Sequence, residues 1–433
     1  LRRKDVPAVI ILFGTLVVFL GIGVPIAYAL GLSSFAYFLF VSPELMIVMP
    51  QRVFSGMNNY ALISLPLFIL MGQVMNSSGI TARLIDMSML LLGRLRGGLG
   101  LVNITASMIF GGISGSSTSD TASIGAVMIP EMKKRGYSPA FATGITVASS
   151  TMGMIIPPSV PIVLYAIVAQ ESVGRLFLGG LVPGLMIGLL QLGIMFSIAY
   201  KRKYPRAERV AHDGPRLPRY FGSLVILTMP VAVVGSVVLG IATATESAAI
   251  GVTFAMLVGL IMGGRSWIET VPESLQAAVL MSARIMMIIA FSQLFVWILV
   301  LEGIPSQIAG LVVGLDLGPV AVLLLISVFV LLLGTFIDVS PAILLLTPTL
   351  LPAAQAAGVS SIQFGVVLIS GLAIGACTPP VGNCLNVGAA ISRLGIGQIF
   401  IGAAPFLFAN VVILILICVF PALVLWVPTW WMG

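Results

Sequence analysis

MGMIIPPSVP, residues 152–161, and GACTPPVGN, residues 375–383, decide how this chain folds. Each places a Pro-Pro pair in the middle of a long apolar run. Proline lacks the N–H that a helical ladder needs and its ring clashes with the preceding turn, so each run must break there. A break frees carbonyls at the end of one half-helix and N–H groups at the start of the next. One Pro-Pro could be a simple kink. A second at the matching place of the other half points to a repeated architecture. Sliding the chain by 222 residues sets Pro157 on Pro379 and Pro158 on Pro380. It also sets Gly153 on Gly375, Gly112 on Gly334, Pro130 on Pro352, Gly136 on Gly358 and Ser138 on Ser360. Although 47 Gly and 26 Pro invite accidental matches, seven at one offset, in a matching order of segments, exceed accident.

Composition names the solvent. Of 433 residues 59% are hydrophobic and 8% charged, against about 25% charged in soluble domains. Lipid must therefore face most of the chain. Runs long enough for roughly 30 Å of hydrocarbon lie at 6–22, 24–41, 59–78, 138–170, 177–200, 223–242, 246–263, 284–302, 360–392 and 398–426. Segments 43–57, 80–95 and 266–280 mix apolar and polar residues and are expected as interfacial amphipathic helices. The opening run is followed by further spans and reads as a span, not a signal peptide. The net charge of +7 follows from basic residues in the gaps between runs. Threaded with its start outside, the chain puts 16 of its 21 Lys and Arg inside, a positive-inside bias that the opening Arg2, Arg3 and Lys4 oppose. Cys377, Cys384 and Cys418 show no paired spacing, so neither a disulfide framework nor a zinc site is implied.

Two stretches, 98–134 and 318–356, are too long for one crossing and are interrupted by small polar residues. They read as re-entrant hairpins, tolerable only where buried in protein or facing a watery cavity. The expected fold is thus an all-α polytopic membrane protein of two inverted-topology repeats. Each has five transmembrane helices, one of them broken, and one re-entrant hairpin. The first repeat covers 1–204, with hairpin 98–134 and broken helix 138–170. A cytoplasmic linker covers 205–222. The second repeat covers 223–433, with hairpin 318–356 and broken helix 360–392. An odd number of crossings per repeat turns the second copy upside down, and such repeats are typical of secondary transporters with a midplane site.

The tip of the first hairpin, GGISGSSTSDTASIG at 111–125, crowds hydroxyls and glycines at membrane depth. Hydroxyl and carbonyl oxygens suit a small hard cation such as Na+, and a helix restarting near Ser119 turns N–H groups and a positive dipole end toward an anion. Ordinary capping by Ser117 and Thr118, with Asp120 in the first turn, accounts for the same residues and is compatible with ion binding. In the second hairpin, GTFIDVSP at 334–341, Asp338 takes the place of Ser116. Asp120, Asp338 and Glu246 are acidic residues inside apolar segments, where ionisable groups are functional by default. Glu246 stands close enough to a span start to cap it instead.

LPLFILMGQVMNSSGI at 65–80, SGSSTSDTASIG at 114–125, IIPPSVP at 155–161, GIATATESAAIG at 240–251 and CTPPVGN at 377–383 resemble the large membrane (M) subunit of tripartite ATP-independent periplasmic (TRAP) transporters, over essentially the whole chain. The resemblance implies an elevator-type carrier in the bacterial inner membrane, not an enzyme. It implies a small four-helix (Q) subunit, a periplasmic binding protein, and sodium-driven uptake of an organic acid of the sialic acid or C4-dicarboxylate type, with two or more Na+. By analogy one Na+ belongs with Ser114, Gly115, Ser116, Gly153 and Pro157. A second belongs with Gly334, Asp338, Ser340, Gly375 and Thr378. The acid belongs with Ser116, Ser117, Thr118, Ser119, Pro157, Ser159, Pro379 and Asn383. A stand-alone ion-coupled anion carrier of similar design is the alternative. An intramembrane serine protease is excluded, because Gly112–Gly115 matches G-x-S-G but the only histidine, His212, lies in the charged linker. No Walker A loop is present.

Overall fold

The computed structural model describes residues 5–206, 216–315 and 317–433. Side chains are described except those of 5–7, 216–226 and 262–266. His212 and residues 207–215 of the expected linker lie outside the described residues. No strand forms among the described residues, and the chain runs as α1 (Asp5–Gly21), α2 (Ile26–Phe40), α3 (Met49–Met57), α4 (Ser64–Ser77), α5 (Ile80–Leu92), α6 (Gly98–Ser114) and α7 (Ser117–Lys134). There follow α8 (Pro139–Ser150), α9 (Met152–Ile155), α10 (Val160–Ala169), α11 (Val173–Lys201), α12 (Arg216–Val238), α13 (Ala244–Ile268) and α14 (Val271–Leu301). The last third is α15 (Ile304–Gly314), α16 (Pro319–Gly334), α17 (Val339–Ala356), α18 (Ser361–Gly375), α19 (Asn383–Ser392), α20 (Ile396–Val419) and α21 (Ala422–Met432). Among the described residues, seven helical segments are long and apolar enough to cross a membrane.

Both long interrupted stretches are helix pairs, α6–α7 and α16–α17, and both Pro-Pro runs separate half-helices, α8–α9 from α10 and α18 from α19. Both Pro-Pro peptide bonds are cis. Element starts recur in register: Ser117 and Val339 open α7 and α17, and Pro139 and Ser361 open α8 and α18.

Three boundaries differ from expectation. Segment 266–280 is no separate interfacial helix. Pro272 sits in the first turn of α14, where its missing N–H is one that a helix start leaves unpaired anyway. That helix runs unbroken for 31 residues in all. The span expected at 398–426 stops at Val419, because Phe420 leaves helical geometry (φ −116, ψ 87) and Pro421 precedes the separate α21. A further helix, α15, fills the gap between α14 and the second hairpin.

Burial identifies the centre. Of the best apolar window in Pro139–Ala169, 83% is buried, against 33% in Val173–Lys201, so the broken helix is enclosed while α11 presents apolar side chains outward. Close approach makes this possible. A Cβ on Gly402 of α20 would lie 2.1 Å from the Ala140 carbonyl oxygen of α8, and one on Gly144 would lie 2.3 Å from Ala403 N. Large side chains such as Ile10, Val17, Phe40, Ile261, Phe329, Ile401 and Phe408 stay exposed, as a lipid-facing surface requires.

Candidate functional site

The first hairpin tip forms because Gly115 takes a left-handed conformation (φ 60) that closes α6, and Ser116 then leaves the helix (φ −147, ψ 121) to start α7. The tip seats directly on the broken helix. A Cβ on Gly112 would lie 3.1 Å from the Pro157 carbonyl oxygen, and one on Gly115 would lie 3.0 Å from Val160 N and 3.3 Å from the Pro158 carbonyl oxygen. Residues 151–160 are all buried. Glycine at these positions lets carbonyls of the break face the tip without a side chain between them.

Asp120 is fully buried at this junction. The Ser114 hydroxyl donates to its Oδ1, while Oδ2 has no hydrogen-bond partner among the described residues. Oδ2 lies against Gly153, where a Cβ would come within 2.4 Å of it. The geometry brings Ser114 and Gly153 against a buried carboxylate, that of Asp120, while Gly115 and Pro157 lie at the tip–break contact on either side. A buried carboxylate oxygen with no donor, at the junction where break carbonyls face the glycine tip, is a donor set that fits a small hard cation. Ser116 turns to Thr118, their hydroxyls 3.1 Å apart.

The second tip is built on the same glycine contact and is more open. A Cβ on Gly334 would lie 3.2 Å from Gly375 Cα, and Gly382 N donates to the Thr335 carbonyl at 3.2 Å. Asp338 is the N-cap of α17, accepts from Val339 N at 2.9 Å and is exposed. Ser340 and Thr378 are half-buried, and the Thr378 hydroxyl donates back to the Ile374 carbonyl at 2.8 Å. No hydrogen bond joins Asp338 or Ser340 to Thr378 among the described residues.

The two halves meet where α7 and α19 begin. Ser117 Oγ and Cys384 Sγ are 3.1 Å apart and both residues are buried. Thr118, Ser119, Pro379 and Asn383 are half-buried around this contact's two helix starts. Two N-terminal helix ends thus face one region, each offering N–H groups without intrahelical partners. Ser159 is not available there. Its hydroxyl donates to the Met154 carbonyl at 2.5 Å and accepts from Ile162 N, so it caps α10. Glu246 is also elsewhere. It is exposed and forms a capping box with Thr243 at the start of α13.

Several buried groups behind the site carried no motif. The Gln191 side chain of α11 donates to Asn410 Oδ1 of α20 at 2.8 Å and to the Ala148 carbonyl at 3.2 Å, and Asn410 donates to Thr151 Oγ1 at 2.9 Å. Asn103 donates to Thr146 Oγ1 at 2.7 Å, and the Ser107 and Ser149 hydroxyls are 2.8 Å apart. These bonds fix α8, which leads through α9 into the break. Their one sequence signal is an amide inside an apolar run.

Residues 13–423 match the family model described as "Tripartite ATP-independent periplasmic transporter, DctM component". The chain belongs to the DctM family. This DctM chain is 34% identical to the sialic acid TRAP transporter large permease protein SiaM of Vibrio cholerae, over 95% of this chain and 96% of that one. It is 34% identical to the C4-dicarboxylate TRAP transporter large permease protein DctM of Pseudomonas aeruginosa, over 93% and 94%. Among solved structures the Alcanivorax borkumensis YdaH transporter aligns with a TM-score of 0.65 over 90% of each chain at 14% identity, which establishes a shared fold. The DctM chain is accordingly the large permease of a membrane transport system and not an enzyme.

Proposed function

We propose that this permease carries an organic acid of the sialic acid or C4-dicarboxylate type inward across the bacterial inner membrane, driven by sodium. The acid arrives on a periplasmic binding protein, and a small membrane subunit completes the permease. The observation that carries the reading is the meeting of the α7 and α19 starts at the Ser117–Cys384 contact. It sets two positive helix ends and the hydroxyls of Ser116–Ser119 toward one region, chemistry suited to a carboxylate. Ser114, Asp120 Oδ2 and the Pro157 carbonyl supply the first Na+ position. Asp338, Ser340 and Thr378 supply a second, more open one. In this reading 1–204 and 223–433 are inverted copies, the linker is cytoplasmic, and the hairpins with their broken helices move as an elevator against the remaining spans.

The test is uptake into proteoliposomes containing the chain, its small subunit and a binding protein loaded with labelled sialic acid or succinate. Uptake is expected only with all three proteins and an inward sodium gradient. Undiminished uptake with potassium in place of sodium would refute the coupling. Transport by the chain alone would favour a stand-alone carrier.

A further inference from the structure

Apolar packing in this chain divides into two cores. The larger includes α6, α8, α10, α17, α18 and α20, whereas a smaller one joins α1 and α2 to Leu294, Phe295, Ile298 and Leu299 of α14, and α14 bridges the two through Ala278, Ile285 and Ile289 in the larger core. A cavity of about 420 Å³ lies along the seam between them. One wall carries Arg52 of α3, Asn58 just beyond it, and Gln293 and Trp297 of α14. The other carries Gln170 at the end of α10 and Leu344 of α17. The second wall therefore belongs to the broken helix and the second hairpin, the elements that also form the candidate site.

The polar groups here are uncommitted. Among the described residues both ion pairs involve Glu131, and none involves Arg52. The Arg52 guanidinium lies over the Trp297 ring, 4.7 Å from its centroid. Glu302, at the end of α14, already receives the Tyr37 hydroxyl. The side-chain amides of Asn58, Gln170 and Gln293 make no hydrogen bond within the protein among the described residues. α3 is held close enough to share this wall because Gly56 has no side chain. A Cβ there would fall 2.7 Å from Gln293 Cβ.

We propose that this cavity is a second, vestibular carboxylate site, in which Arg52 holds the organic acid at the seam before it reaches the central site. The inference rests on the transport reading above for its ligand class and for its outward placement. A guanidinium offers a planar fork that pairs bidentately with a carboxylate. Its stacking on Trp297 fixes the plane of that fork in advance. The three amides add donors, and the volume falls in the range of small-molecule pockets. Because one wall includes the end of the broken helix and the second hairpin, movement of the hairpins in the transport reading would change the width of the vestibule and so couple its occupancy to that movement.

The test uses a variant keeping Trp297 as its only tryptophan, with Trp267, Trp426, Trp430 and Trp431 changed to Phe, in phosphatidylcholine nanodiscs. Succinate and N-acetylneuraminate are titrated while Trp297 emission is read. If that variant does not fold, the emission difference between wild type and Trp297→Phe gives the same signal. A saturable change with at least one acid is expected, weakened about tenfold or more by Arg52→Gln, as loss of one charge-assisted hydrogen bond implies. Ser117→Ala should leave it in place. No saturable change with either acid overturns the proposal, as does a change indifferent to Arg52→Gln. A change seen only when phosphatidylglycerol replaces phosphatidylcholine assigns the cavity to a lipid headgroup and overturns it too. Counterflow of the same protein in proteoliposomes, with its small subunit and binding protein present, separates the two readings. Counterflow without the Trp297 signal removes the vestibule alone, and loss of counterflow in the wild type removes the transport reading.

Discussion

Gly153→Ala places one methyl group against the candidate sodium position and nowhere else of consequence. The new Cβ would lie 2.4 Å from Asp120 Oδ2, 3.1 Å from its Cγ and 3.4 Å from Gly111 Cα. Two of these three contacts are with the end of one side chain, so the backbone can stay and the carboxylate must move by roughly 1 Å to regain van der Waals distance. That movement costs about 1–3 kcal/mol as local overpacking. It also pulls Oδ1 from the Ser114 hydroxyl, a hydrogen bond to a charged acceptor worth about 1.5–3 kcal/mol. Even the lower figure, about 1.4 kcal/mol per tenfold, raises the sodium concentration for half-maximal uptake about tenfold. The measurement is initial uptake against sodium concentration in proteoliposomes at saturating organic acid, with a thermal melt to verify folding. Gly111→Ala is the contrast. Its Cβ meets backbone, 2.8 Å from Gly153 Cα and 2.9 Å from Gly153 N, so it should lower the melting temperature itself. A folded Gly153→Ala protein with unchanged sodium dependence would falsify the placement of the ion beside Asp120.

Three further outcomes are expected. Ser117→Ala should raise the KM for the acid by about two- to tenfold, the value of one neutral hydrogen bond, with sodium dependence unchanged. Gln191→Leu and Asn410→Leu should each destabilise the chain by about 1–3 kcal/mol by stranding the partner amide, while the double variant should cost less than their sum, as measured in a double-mutant cycle of thermal or denaturant unfolding. Glu246→Gln should leave uptake unaltered at every sodium concentration, because its carboxylate is spent on the exposed Thr243 capping box.

The punctuation of this fold was legible because proline and glycine act locally. Pro157–Pro158 and Pro379–Pro380 forced the breaks, and Gly115 with Ser116 forced the first hairpin tip, wherever the rest of the chain went. Where local rules compete, the reading slipped. Glu269 and Glu273 lower the hydropathy of 266–280 enough to suggest a surface helix, yet Pro272 falls in a first turn and the helix beyond it is continuous. The site was half legible. Ser114 and Asp120 are six residues apart, so their pairing across the tip was within reach of a capping argument. Ser117 and Cys384 are 267 residues apart and meet only because α7 and α19 pack together. No period or spacing encodes that contact, and a cysteine in an apolar run looks like any other small apolar residue. Ser159 misled for the opposite reason. A serine after Pro-Pro has the same appearance whether it binds a ligand or caps the next half-helix.

The two hairpin tips differ in a way that bears on how they could act in sequence. Asp338 occupies the cap position held by Ser116 in the first half, and Ala342 occupies the first-turn position held by Asp120. Each tip therefore keeps one carboxylate at the positive end of its second arm, displaced by about one helical turn between the halves. One turn is enough to invert the surroundings. Among the described residues, Asp120 is buried against Gly153 with one oxygen unpartnered, whereas Asp338 is exposed and accepts only from its own helix. A cation at the first tip would be enclosed by protein oxygens. A cation at the second would keep part of its water until something covered it. If both ions are required before the hairpins move, the exposed Asp338 is the one whose occupancy can respond to the acid arriving beside it. Asp338→Asn should then remove the dependence of sodium affinity on the acid, and Asp120→Asn should weaken sodium with or without it.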